Sequence, residues 1–153
     1  MKNWNKFNGL LAVAALAMGC ETIETKACTL IGCESGLTVA LQAATWPSGS
    51  WRVEAKVGDE TRSCTVTIPL PSDGQAVCAG ALRLGTSGSA LVAAQQSLSS
   101  VHLPDTPTAV TLTVLRDGSV LASKTFSPSY TSSEPNGPGC GPTCTQANAA
   151  LNW

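Results

Sequence analysis

Two close pairs of thiols, Cys28-x4-Cys33 and Cys140-Gly141-Pro142-Thr143-Cys144, stand near opposite ends of the sequence and carry most of its reactive chemistry. Thiols so spaced exchange disulfides, bind a soft metal, or close structural bridges. Together the two pairs would supply the four thiolates of a tetrahedral zinc site. Cys64 and Cys78 lie apart, in mid-chain. His102 is the only histidine, and any serine nucleophile would need it as base. It sits between Val101 and Leu103, no Gly-x-Ser-x-Gly turn exists, and Gly85-Thr86-Ser87-Gly88 reads as a loop. Asp59-Glu60 and Asp117 fall in turns, where carboxylates serve the backbone. No loop gathers the oxygens that calcium requires. Trp46 and Trp51 flank Pro47-Ser48-Gly49-Ser50 and would form an aromatic ledge for glycan or protein contact. Trp51 shares parity with Val53 and Ala55 and reads as core, whereas Trp46 is open to either role.

The C-terminal pair resembles the thioredoxin-type motif Cys-Gly-Pro-Cys with one residue inserted. That resemblance implies a reactive thiol at a helix N-terminus, where the helix dipole lowers its pKa. Here Pro and Gly flank both cysteines and no βαβ pattern surrounds them. A structural disulfide is therefore the favoured reading, and redox exchange through Cys140 and Cys144 the alternative.

Export weights the choice among these chemistries toward disulfides. Lys2 and Lys6 precede an uncharged apolar run over residues 10–18, the order of a secretory signal. The run is shorter than the about 20 apolar residues that span a bilayer. It ends in Leu16-Ala17-Met18-Gly19-Cys20, which resembles the lipobox of bacterial lipoprotein signal peptides, with Ala17 where that family most often has Leu. The resemblance implies that a signal peptidase of the lipoprotein type removes residues 1–19. The Cys20 thiol then carries diacylglycerol, and the new amine takes a palmitate-like acyl chain. Two or more chains make attachment stable, since each buried methylene contributes about 0.8 kcal/mol. The family's sorting tendency reads Asp after the cysteine as inner-membrane retention; Glu21 stands there instead and favours the outer membrane. The rest of the chain is similar to small cysteine-bearing envelope lipoproteins, a group that lends no activity.

An exported chain with six cysteines beyond Cys20 implies a disulfide framework, for which 15 connectivities exist. Cys64–Cys78 is expected as one bridge. Cys28, Cys33, Cys140 and Cys144 pair either across the termini or locally within each cluster. The chain-entropy argument favours the first, at roughly 4.7 kcal/mol for a loop of about 100 residues against about 3 for one of 15. Bridges in an oxidising compartment leave no thiolates for zinc.

These residues are positioned by strands. Leu37, Val39 and Leu41 alternate with Thr38 and Ala40; Trp51, Val53, Ala55 and Val57 with Arg52, Glu54 and Lys56; Cys64, Val66, Ile68 and Leu70 with Thr65 and Thr67. Period two with one apolar face is the half-buried strand pattern. A fourth strand is expected over residues 75–84, a loop over 86–89, either a helical turn or a strand over 90–97, and a short edge strand over 101–103. A clear strand follows over 108–115. Asp117-Gly118 then signals a type I′ hairpin, with Val114 facing Leu121 and a bulge or sheet crossing needed before Phe126. Residues 134–144, rich in Pro and Gly, read as coil, and residues 146–151 as a helical turn.

The sequence thus predicts an all-β protein, an immunoglobulin-like β-sandwich of about seven short strands, stapled by disulfides. The expected organisation is a signal peptide over 1–19, lipidated Cys20 with its tether over 20–35, the sandwich over 36–130, and a cysteine-containing tail over 131–153 packed on it. Net charge is −1 without a Lys/Arg cluster, which disfavours nucleic acid. The functional expectation is a non-catalytic binding or structural module at the cell envelope. It would be anchored in membrane lipid through Cys20, need no cofactor or metal, and meet an envelope protein or a glycan. The alternatives are a redox protein using Cys140 and Cys144, or an accessory subunit of an envelope complex.

Overall fold

A computed structural model describes residues 27–153; the expected signal peptide over 1–19 and Cys20 lie outside the described residues. Among the described residues, ten strands run in chain order: β1 (Gly36–Gln42), β2 (Gly49–Val57), β3 (Glu60–Ile68), β4 (Val77–Ala79), β5 (Arg83–Ser87), β6 (Ser97–Leu103), β7 (Val110–Arg116), β8 (Ser119–Phe126), β9 (Thr131–Ser133) and β10 (Cys144–Asn152). They form two five-stranded sheets, β5-β6-β1-β10-β9 and β4-β3-β2-β7-β8. The alternation places Leu37, Val39, Val101, Leu103 and Leu151 on the inner face of the first sheet. Trp51, Val53, Cys64, Val66, Leu112 and Val114 face them from the second, and all belong to one buried cluster. The protein is all-β, a two-sheet sandwich, because the long strands β1, β2, β3, β6 and β7 each have a single apolar face that only the other sheet can cover.

Neighbouring strands are antiparallel with one exception. β1 and β10 run parallel, in register from Gly36↔Gln146 to Gln42↔Asn152. A parallel pair needs a long connection, and here the connection is the rest of the sandwich. The first and last strands therefore start at the same end of the molecule, and that end carries Cys33 ahead of β1 and Cys144 at the start of β10. Trp153 N–H donates to Gln42 O at 3.2 Å and closes the pair at the other end.

The structure revises several local expectations. The strand expected over 75–84 is two strands in different sheets: β4 ends at Ala79, Gly80 turns with φ of +75°, and Leu82 passes through the core on the way to β5. Thr86 and Ser87 belong to β5 rather than to a loop. Residues 90–97 contain one 3-10 turn, Ala93–Gln95, and Ser97 already begins β6. β6 is seven residues long and interior, between β5 and β1, not a three-residue edge. The helical turn expected over 146–151 is strand β10.

The Asp117-Gly118 turn is as expected, with both residues at positive φ, 49° and 81°. Its register differs, since Val114 pairs with Ala122 and Leu115 with Val120, which leaves Leu121 as the extra residue of a bulge. That bulge restores parity so that Phe126 is buried opposite Val110, and it turns Leu121 outward.

Candidate functional site

Four cysteines converge at one end of the sandwich. Disulfides join Cys28 to Cys140, Cys33 to Cys144, and Cys64 to Cys78. The outer four take the cross-terminal arrangement because β1 and β10 are parallel neighbours: the segments leading into them run side by side, and each cysteine meets its counterpart. Cys64 and Cys78 lie directly opposite in the β3–β4 ladder with Cα atoms 4.0 Å apart. The long excursion through residues 69–76 makes that register possible where a tight hairpin would not.

Asn136, which the sequence did not single out, locks the two segments together. Its Oδ1 accepts from Thr29 Oγ1 at 2.8 Å and Ile31 N–H at 2.7 Å. Its Nδ2 donates to Ile31 O at 3.0 Å and Gly141 O at 2.7 Å. Ser35 Oγ accepts from Thr145 N–H at 3.1 Å, and Gln146 Nε2 donates to Glu34 O at 2.7 Å. The Pro/Gly coil is thus ordered by side chains and bridges instead of by a ladder.

This arrangement bears on the thiol chemistries. Cys140 and Cys144 are both buried, and each is bonded to a different distant cysteine, not to its neighbour. A dithiol pair of the Cys-x-x-Cys kind exchanges within the motif; here exchange would unlock the segments that lead into β1 and β10. The four sulfurs considered for zinc are all bonded to sulfur.

His102 stands in a polar row on the outer face of the first sheet, Arg83–His102–Thr38, one residue from each of β5, β6 and β1. Thr38 Oγ1 and His102 Nδ1 are 3.1 Å apart, and His102 Nε2 lies 3.8 Å from Glu34 Oε2. Arg83 bonds both Glu34 oxygens, at 2.8 and 2.9 Å. That hydrogen bonding, with the guanidinium charge, holds the Glu34 carboxyl below its ordinary 4.5. Hydroxyl, imidazole and carboxylate are thus adjacent, but Thr38 lies on an interior strand whose amides pair with β6 and β10. The row therefore offers no free N–H groups to stabilise an oxyanion.

The opposite end is aromatic. Trp46 packs on Trp51 with ring centroids 4.8 Å apart, and edge-on against Trp153 at 5.2 Å. Trp51 is core, its indole N–H bonded to Pro47 O at 3.0 Å. Trp46 and Trp153 are half-buried. A shallow cavity of about 210 Å³ opens beside them, lined by Ala43, Thr45, Pro47, Arg116, Leu121 and Trp153 among others. It is smaller than the usual drug-sized pocket. Asp117, in the adjoining turn, accepts from Ser50 N–H at 2.8 Å and is structural. A second, apolar groove of about 420 Å³ runs along the second sheet's edge past Val77.

No protein-family model matches this chain, no curated protein matches it, and no solved structure matches it. Among the described residues, no helix is long and apolar enough to cross a membrane.

Proposed function

We propose that this chain is a lipid-anchored protein of the bacterial cell envelope that acts as a non-catalytic binding or structural module. One juxtaposition carries the reading. The lipobox-like Cys20 lies eight residues before Cys28, and Cys28 enters the doubly bridged, Asn136-locked end of the sandwich. A pull on the anchor is thereby transmitted to two adjacent interior strands of one sheet, β1 and β10. The sandwich, immunoglobulin-like in the broad sense, would hold its Trp46–Trp153 ledge at the far end from the membrane, available to a glycan or an envelope protein. Glu21 favours the outer membrane.

Replacement of the acceptor thiol tests the anchor. Cys20→Ser should move the protein from the membrane fraction to the soluble fraction with its three bridges intact. Retention of the variant in the membrane would refute the anchor. Mild-detergent extraction of the wild-type protein distinguishes the module from an accessory subunit, which would emerge with one fixed partner in constant ratio.

A further inference from the structure

The anchored end exposes an apolar tip that the fold does not let collapse. Leu30 is 99% exposed and Ile31 54% exposed. A leucine so bare in a loose loop would be unremarkable, but this one is held rigid. Asn136 grips Ile31 by both its N–H and its C=O, and Thr29 by its hydroxyl. Cys28 and Cys33 fix the segment on either side. Leu30 is the residue between the gripped positions, and it points away from the protein.

Its own two segments lack charge, with Lys26, Glu34 and Glu134 beside them in sequence. Residues 27–33 and 136–144, which together build this end, contain no Asp, Glu, Lys, Arg or His. The carboxylates at its border are occupied: Glu34 by Arg83, and Glu134 by the Gly139 N–H at 2.7 Å. A surface free of charge enters the headgroup boundary without the penalty of desolvating an ion.

The length of chain outside the described residues decides the occupant. A chain of eight residues leads from Cys20 to Cys28. Fully extended, it reaches no more than about 29 Å. The tip therefore spends its time within one tether length of the lipid in which Cys20 would be embedded. We infer that residues Thr29–Ile31 form a membrane-seating tip. Leu30 and Ile31 insert at the headgroup boundary of the leaflet that holds the Cys20 lipid, so that the sandwich stands end-on with its tryptophans outermost. This rests on the anchor proposed above.

The test uses the full acylated protein in phosphatidylcholine vesicles whose acyl chains carry bromine, a contact quencher of indole fluorescence. Leu30→Trp adds a reporter at the tip. The native Trp46, Trp51 and Trp153, at the opposite end, serve as the internal reference. Val77→Trp places an exposed indole on the sheet edge. The expected result is a roughly twofold loss of the emission contributed by the indole introduced in L30W, as for a ring seated about 5–10 Å into the boundary, with wild-type and Val77→Trp emission unchanged. Acylated protein that floats with the vesicles but shows no extra quenching in L30W overturns the seating and leaves the anchor standing. Equal quenching of V77W also overturns it, since the protein would then lie on its side or tumble. Absence of acyl chains by mass overturns the anchor itself, and the seating with it.

Discussion

Asn136 is buried between two segments more than a hundred residues apart in sequence, and both ends of its amide are in use. Asn136→Ala would remove the part-buried hydrogen bonds to Thr29, Ile31 and Gly141, each worth about 0.5–1.5 kcal/mol net. We expect a drop of that order in urea-unfolding free energy, with Asn136→Asp recovering little because it keeps the acceptor and loses the donor. Nothing in the local sequence reveals this role: Asn in a Pro/Gly stretch reads as a turn former, and its partners lie on a segment with no spacing cue. The Glu60–Arg62–Asp105 group illustrates a second kind of residue-scale effect. Glu60 bonds Arg62 at 2.8 and 3.1 Å, Arg62 also bonds Asp105, and the Glu60 carboxyl is held below its ordinary 4.5 by the guanidinium's hydrogen bonds and charge. Its contribution to stability is therefore complete above its ordinary pKa and lost as the pH falls through the lowered value. Acid titration of the urea midpoint should show a flat region from neutral pH down to about 4.5 and a fall below it. That fall should be shallower in Glu60→Gln, and an identical fall in the variant would assign it to other carboxylates.

Strand β1 meets β6 at a point where only glycine fits. Gly36 has φ of +130°, and a Cβ there would stand 2.0 Å from Leu103 O, a backbone atom that cannot rotate away. Gly36→Ala should cost at least about 2 kcal/mol, combining the strained backbone with displacement of β1 from β6. A change below about 0.5 kcal/mol by chemical denaturation, the range of neutral surface substitutions, would show that the strand edge yields easily. Element-scale legibility followed side-chain contrast. β1, β2, β3 and β7 alternate large apolar with polar residues and were readable. β10 buries Ala147 and Leu151 with Ala149 between them half-buried, a period-two face, but alanine's helix propensity and small area mask it. The same limit explains the split at Gly80, where one apolar run serves two sheets, and β6, whose serines disguise an interior strand. The bulge at Leu121 was legible only as a parity conflict with Phe126.

The whole molecule is defined by its closure. Parallel β1 and β10 bring the segments that lead into them to one end, and the bridges Cys28–Cys140 and Cys33–Cys144 hold them with sequence separations of 112 and 111. In the chain-entropy account, a loop of that order is worth about 4–5 kcal/mol. Replacing Cys28 and Cys140 by serine should therefore lower unfolding free energy by about 2–4 kcal/mol, some of the gain being recovered by the remaining bridge. It should also expose residues 27–33 to protease before the sandwich unfolds. Cross-terminal pairing was legible from cysteine placement and loop entropy; the parallel pairing that makes it geometrically possible was not, because a parallel contact between first and last strands leaves no local trace. The Thr38–His102–Glu34 row was not legible either, because it needed the sheet register to appear.

The most direct measurement is the intact mass of the membrane-extracted protein after thiol alkylation without reductant. The account predicts a chain beginning at Cys20, carrying diacylglycerol and an amide-linked acyl chain, with no alkylated cysteine among Cys28, Cys33, Cys64, Cys78, Cys140 and Cys144. An unacylated chain, or one beginning elsewhere, would contradict the anchored module, and alkylation at Cys140 or Cys144 would contradict the closed clamp and restore thiol chemistry to that end.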